Sequence, residues 1–226
     1  MICARRFSRY NWRSRRLNAR PLGRQRADIV SQELHFPDQV PTLFGDRVYL
    51  RELNEADIPA WFERASDRES AVLAGDPIPE SIDMGIQWLA RHRERFRRQD
   101  ALRWAIVPTG ATDSVGTIGL TITSKDERHA ELGIVIGRAW WGKGIGTCAA
   151  RMVTDYGFST LGLAGMYAEV LQRNLASQRL LEKVGFQLVR EIPGDPRSDT
   201  DAEDCFLFGL FSETRTLGIA HAGHFG

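Results

Sequence analysis

Cysteine is scarce in this chain of 226 residues: Cys3, Cys148 and Cys205 are the only three. A small, odd number with no C-x-x-C pair argues against a disulfide framework and offers no thiolate zinc site, so no metal is expected. Such usage suits a reducing compartment, and a cytoplasmic location is the expectation. No apolar run reaches the roughly 20 residues needed to span a bilayer, so no membrane partner is expected. Neither sign of charge dominates, because 30 Lys and Arg stand against 29 Asp and Glu, a net +1. With 42% hydrophobic and 26% charged residues the composition is that of an ordinary globular chain, long enough to bury one full core.

The near-zero charge conceals a division. Residues 1 to 29 hold nine arginines and one acid, Asp28, a net +8, which leaves −7 on the remainder. A basic arm of this kind could bind nucleic acid through phosphates or serve as a transit peptide. It has no apolar periodicity, however, and the plainer reading is an inert segment: disordered, or an open reading frame begun too far upstream, with Val30 an alternative start. Nucleic acid is therefore not an expected partner. The chain divides into this N-terminal extension (1–42), one body (43–212) and a Gly-rich C-terminal tail (213–226) holding His221 and His224.

The body alternates between two periods. Val48 and Leu50 mark a first strand, and Asn54 with Asp57 three residues on has the form of a capping box opening a helix on Ile58, Trp61, Phe62 and Ala65. A second helix is read from Ile82, Ile86, Leu89 and Phe96, its arginines forming a solvated side. Three strand-like runs follow, 102–107, 115–123 and 130–136, as an antiparallel meander. A helix after residue 144, a strand over 166–170, a helix after Asn174 ended by Gly185, and strands over 187–192 and 205–210 complete the order. The fold class is α/β (α+β), a mixed, mostly antiparallel sheet of about six or seven strands flanked by about four helices.

The most informative stretch is Glu131 to Gly146, ELGIVIGRAWWGKGIG. An apolar strand passes through two tryptophans into Gly142, Lys143, Gly144, Ile145 and Gly146, after which Ile145, Cys148, Ala149, Met152, Val153 and Tyr156 recur at helical spacing. The first amides of that helix lack internal partners and lie at the positive end of its dipole, a ready site for a phosphate. Gly137 to Lys143 reads as a Walker A loop until Gly144 replaces the Ser or Thr that would hold magnesium. Gly144, Gly146 and Ala149, with Glu169 downstream, also fit a dinucleotide fingerprint, but Gly144 follows Ile136 too distantly and lies too deep in the chain.

A third pattern covers more. Gly144 and Gly146, preceded by Trp141 in W-G-K-G, then Asn174-Leu175-Ala176-Ser177 and Lys183-Val184-Gly185-Phe186, with the opening Arg47-Val48-Tyr49-Leu50-Arg51, occur in an order that resembles the GNAT N-acetyltransferases of the RimJ/RimL-like branch over residues 43 to 210. The resemblance implies a GNAT fold and acetyl-coenzyme A as co-substrate. Its pyrophosphate would meet Trp141, Gly142, Lys143, Gly144, Ile145, Gly146 and Thr147. Its pantetheine would pair with Gly133, Ile134, Val135 and Ile136 where two strands splay, and Asn174 would bind coenzyme A or cap its helix.

The implied reaction is acetyl transfer to a primary amine by direct attack. An ammonium must first lose a proton, which requires a base. Glu131 is chosen because it begins the cofactor strand and points opposite to Leu132 and Ile134, although a solvated edge carboxylate has the same spacing. His129 is the alternative. Ser177 is chosen as the acid for the departing thiolate, with helix capping as its structural counterpart; no tyrosine stands between Ala168 and Ile192 to take that role. Cys148 lies on the apolar stripe and is read as core. The acids between Pro193 and Asp204 would favour a cationic acceptor or simply be solvated. Two rival classes remain, a noncatalytic coenzyme A-binding module and a nucleic-acid-binding protein acting through the basic arm. Either a monomer or a homodimer is compatible with the resemblance.

Overall fold

The computed structural model describes residues 33–74, 77–195 and 203–212. The arginine-rich segment to residue 29, Asp199, Asp201, His221 and His224 lie outside them. The elements are β1 (Leu43–Phe44), β2 (Val48–Glu52), a 3-10 turn at Glu55–Asp57, α1 (Ile58–Ser66), α2 (Arg68–Ala74), α3 (Met84–Arg97), β3 (Ala101–Pro108), β4 (Gly116–Ser124), β5 (His129–Ile136), a 3-10 turn at Arg138–Trp140, α4 (Ile145–Ser159), β6 (Gly165–Leu171), α5 (Leu175–Val184), β7 (Gln187–Ile192) and β8 (Cys205–Phe211).

Local chemistry sets several of these boundaries. Asn54 Oδ1 accepts from the Ala56 amide and the Asp57 carboxylate accepts from the Asn54 amide, each at 2.9 Å, closing the capping box. Arg51 grips the same carboxylate through two bonds of 2.8 Å. Gly185 ends α5 at φ 102°, and its amide and that of Phe186 return to Leu181 O, which folds Phe186 into the core.

The strands form one sheet in the order β1-β2-β3-β4-β5-β6-β8-β7. Every neighbouring pair is antiparallel except β5 and β6. On one face, Leu102, Trp104, Ile106, Leu132, Ile134, Met166, Ala168 and Val170 pack with Ala149, Ala150 and Val153 of α4 and Leu181 of α5. On the other, Ala105 and Val107 meet Leu89 of α3 and Leu53. Trp104 joins layers: fully buried, it packs edge-on against Tyr156 of α4 and donates its indole N–H to Pro41 O at 2.8 Å.

The sheet has eight strands rather than six or seven, because Leu43 and Phe44 pair with Leu50 and Tyr49 as a two-residue edge that carries no period-2 signal. Five helices replace four. The chain turns at extended Asp67, whose carboxylate accepts from the Ser70 amide at 2.7 Å, so α2 starts anew after α1. Residues before 43 are packed too: Leu34, Phe36 and Val40 lie against the core, Phe36 meets Phe96, and the His35 amide donates to Leu161 O. The boundary expected at Leu43 therefore falls inside the packed body. On α3 the stripe is rotated from the expected one. Ile82 precedes the helix and Ile86 is 56% exposed, while Gly85 and Leu89 are buried and His92 turns inward. Gly85 permits this, since a Cβ there would lie 2.3 Å from Ile58.

Gly119, in the middle of β4, is required by close approach. A Cβ there would stand 2.3 Å from Leu102 O and 2.9 Å from Arg103 Nε. The carbonyl is backbone and cannot yield by rotamer change. Gly119→Ala is expected to lower the unfolding free energy by about 1–3 kcal/mol, measured by urea denaturation with an unchanged m-value.

Candidate active site

β5 and β6 pair only through His129↔Gly165, Ala130↔Met166 and Glu131↔Tyr167. Beyond those three pairs both strands continue, β5 to Ile136 and β6 to Leu171, without pairing to each other. The carbonyls at the two strand ends have other partners. Ile136 O accepts from the Trp141 indole at 2.8 Å, and Leu171 O accepts from the Asn174 amide at 2.9 Å and from Gln178. Gly133, Ile134, Val135 and Ile136 thus lie along the parted stretch.

The glycine loop leads from β5 into α4. Gly144 is the N-cap residue at φ 77°, and among the described residues no side chain caps the helix, so its first amides have no side-chain acceptor. Gly142 has φ 72°. Gly146 serves packing instead, because its Cβ would lie 2.7 Å from Leu180 of α5 and 3.0 Å from Ile136. Trp140 and Trp141 brace the loop from outside: Lys143 Nζ lies 4.7 Å from the Trp140 ring centre, and Arg138 covers Trp141. Arg47, read from sequence only as part of the opening strand, donates to Lys143 O at 3.1 Å and brings a guanidinium to the glycine loop. Thr147 follows in the first turn of α4.

Glu131 is not a solvated edge carboxylate. It is 1% exposed, and neither carboxyl oxygen accepts a hydrogen bond among the described residues. Burial, reinforced by the charge of Glu169, pushes its pKa up to about 8, against the opposing pull of Arg103 and Arg95. Those arginines come from elements the sequence did not connect to the site. Arg103 of β3 lies over Gly119 and donates to Gly133 O at 3.4 Å; Arg95 of α3 donates to Thr121 at 3.3 Å, and Thr121 pairs with Glu131. Arg95 thus leaves the solvated side expected of the α3 arginines. Nearby His92 packs edge-on against Trp88, and burial holds its imidazole well below its ordinary value.

Asn174 is a helix cap, accepting from the Ser177 amide at 3.2 Å, and Ser177 is buried in the first turn of α5. Cys148 packs with Met152 on α4, as a core residue would. His129 is tied to Glu127 at 3.2 Å and sits edge-on to Tyr167. In the acidic stretch Glu203 pairs with Arg173, and Asp204 accepts from the Gly194 amide. Among the described residues no group of three or more His, Cys, Asp or Glu could hold a metal, and no helix is long and apolar enough to cross a membrane.

A carboxyl with a raised folded-state pKa contributes stability that is fully present below its unfolded value of 4.5 and is lost as pH rises through about 8. Glu131→Gln cannot ionise. Its melting temperature relative to wild type is expected to climb as pH passes from 4.5 to above 8, followed by calorimetry across that range.

The model of the acetyltransferase (GNAT) domain matches residues 47–187. The N-acetyltransferase YoaA of Bacillus subtilis is 34% identical over 147 residues, covering 65% of this chain and 83% of that one. Mycobacterium smegmatis RimJ, solved in complex with CoA-disulfide, aligns with a TM-score of 0.68 at 23% identity, over 81% of this chain and 91% of that one. Spermidine N-acetyltransferase from Vibrio cholerae, in complex with CoA and spermine, aligns at 0.64 and 20% identity, over 74% and 96%. The chain thus belongs to the GNAT family as an acetyl-coenzyme A-dependent N-acetyltransferase.

Proposed function

We propose that the enzyme acetylates a primary amine by direct attack in a ternary complex, with Glu131 as general base. The observation that carries this is the position of Glu131: a buried carboxyl that accepts no hydrogen bond among the described residues, at the last pair before β5 and β6 part. Its pKa suits the task. An alkylammonium titrates near 10, so an ordinary glutamate near 4.3 would face an uphill transfer of about 8 kcal/mol. At about 8, Glu131 faces only about 3 kcal/mol.

Acetyl-coenzyme A supplies an acyl group activated as a thioester. The amides at the start of α4, from Gly144 to Thr147, with Arg47 and Lys143 beside them, hold its pyrophosphate. Backbone groups of Gly133 to Ile136 line the pantetheine and offer an N–H to the carbonyl oxygen. Glu131 takes one proton from the ammonium. The nitrogen then bonds to the carbonyl carbon, the C–S bond breaks, and the second nitrogen proton passes through the Ser177 hydroxyl to the thiolate. Asn174, by capping α5, fixes where that hydroxyl stands.

We place the chain in the RimJ/RimL-like branch on the order of its motifs, W-G-K-G, N-x-x-S and K-x-G-F. The acceptor is a peptide or protein N-terminus or a small amine, and a cationic one suits the carboxylates on β5 and β6. Glu131→Gln is expected to lower kcat by about 10²-fold or more, with acetyl-coenzyme A affinity unchanged. In wild type kcat/KM should rise with pH through about 8. A variant that keeps both the wild-type rate and the wild-type pH profile would reject Glu131 as the base.

A further inference from the structure

One side chain joins the glycine loop that receives the cofactor to the short helix α2. We propose that Arg138 is a positioning residue that couples the two: coenzyme A seated at the start of α4 fixes Arg138, and Arg138 in turn holds α2 in helical form beside the layer that covers Glu131. The inference deepens the acetyltransferase reading and rests on it for the place of the cofactor at the loop.

On its own, α2 has little to hold it. It runs for seven residues, Arg68–Ala74, well short of the roughly 12–15 at which an isolated helix is even marginal in water. Ser70 and Ala71 are buried while Arg68, Glu69 and Val72 are exposed, so few apolar contacts support it. Its anchors are concentrated at the first turn. Asp67 Oδ1 accepts from the Ser70 amide at 2.7 Å, and the Asp67 carbonyl accepts from the Ala71 amide at 2.8 Å. The same carboxylate receives Arg138 Nη2 on both oxygens at 3.0 Å, and Arg138 Nη1 pairs with Glu69. An isolated exposed ion pair contributes little. Here one guanidinium holds two carboxylates that bracket the point where α2 begins, one just before it and one within its first turn.

Arg138 is rooted in the cofactor loop. It opens the 3-10 turn Arg138–Trp140 directly after β5, and its guanidinium lies 5.7 Å from the centre of the Trp141 ring, whose indole N–H donates to Ile136 O. Trp141 leads into Gly142 and Gly144, both at positive φ, and then into α4. A pyrophosphate bound by the α4 amides restricts this glycine-rich stretch, and the restriction reaches Arg138 through the adjoining turn. The helices at the other end lie on the face that carries Glu131. α1 runs straight into the Asp67 turn, its Arg64 Cγ stands 3.9 Å from where a Cβ on Gly137 would be, and its Trp61 stacks on Trp88 of α3 at 5.3 Å. α3 carries Arg95 to Thr121, the cross-strand partner of Glu131. Ordering α2 beside this layer when the cofactor binds is a coupling through conformational entropy, and it requires no movement of a rigid body.

The test follows hydrogen–deuterium exchange of the full-length protein by mass spectrometry, with and without saturating coenzyme A, and compares the exchange rates over residues 68–74. In wild type the cofactor should slow these amides by about fivefold or more. In Arg138→Gln this slowing should disappear, and Arg138→Lys, able to pair with one carboxylate but not to bridge two, should keep part of it. The double variant Asp67→Asn with Glu69→Gln is an independent check, because Asn caps a helix as well as Asp does and only the charges are lost. There too the slowing should disappear, while coenzyme A still protects the first turn of α4. A residue that merely supports α2 would speed exchange equally with and without cofactor and leave the ratio as it is in wild type. That outcome in either variant would overturn the proposal, as would a wild-type α2 that coenzyme A does not slow. No amine is present, so the result is independent of the base. Absence of protection at α4 would remove the cofactor site itself, whereas protection at α4 with none at α2 would remove the coupling alone.

Discussion

Everything at this site depends on β5 and β6 ceasing to pair after Glu131↔Tyr167. Two adjacent parallel strands would ordinarily continue their ladder, because unpaired backbone groups in a protein interior are costly. Here other donors compete for the carbonyls at the far ends. The Trp141 indole takes Ile136 O, while the Asn174 amide and Gln178 take Leu171 O. The helices that follow each strand thus hold the two ends apart. α4 and α5 meet between them, and Gly146 lets Leu180 and Ile136 come close enough to fill the space.

Charge is buried elsewhere in the fold as well. Arg64 is 6% exposed and donates to Ala60 O, and burial lowers its pKa to about 10. Burial is the largest influence on Asp57 and would raise its pKa, but the hydrogen bonds from Arg51 and the Asn54 amide and the Arg51 charge together hold the carboxyl below its ordinary value. Each of these groups has a compensating bond. Glu131 has none among the described residues, and that contrast supports its proposed role as the base. Above the opening, Arg138 joins Asp67 at 3.0 Å and also pairs with Glu69, tying the α1–α2 corner to the loop that follows β5. The α1–α2 corner and the loop leading to α4 are in this way braced against each other.

What could be read without coordinates was whatever depends on neighbours along the chain. The capping box at Asn54 and Asp57, the left-handed Gly185, the glycine-opened α4 and the alternation along β5 are local devices. Each is decided by steric and hydrogen-bonding rules that act over a few residues. Glu131 could be nominated by alternation, which says which way a side chain points but not what covers it. A solvated edge carboxylate and a buried base have the same sequence spacing, and only packing separates them.

The amino-acid sequence by itself determined the family, most of the element order and the glycine-opened start of α4, because ordered short motifs encode local geometry, while the two-residue β1 and the break before α2 left no such signal. The tertiary structure alone decided which distant side chains share the site. Arg103 reaches Gly133 because Gly119 lies between them in register, Arg95 faces inward because the buried stripe of α3 is rotated, and Glu169 faces Glu131 because β6 adds in parallel beside β5. Those contacts depend on strand register and helix rotation. A one-residue slip in either would reverse which side chains meet, and no spacing within the chain records it.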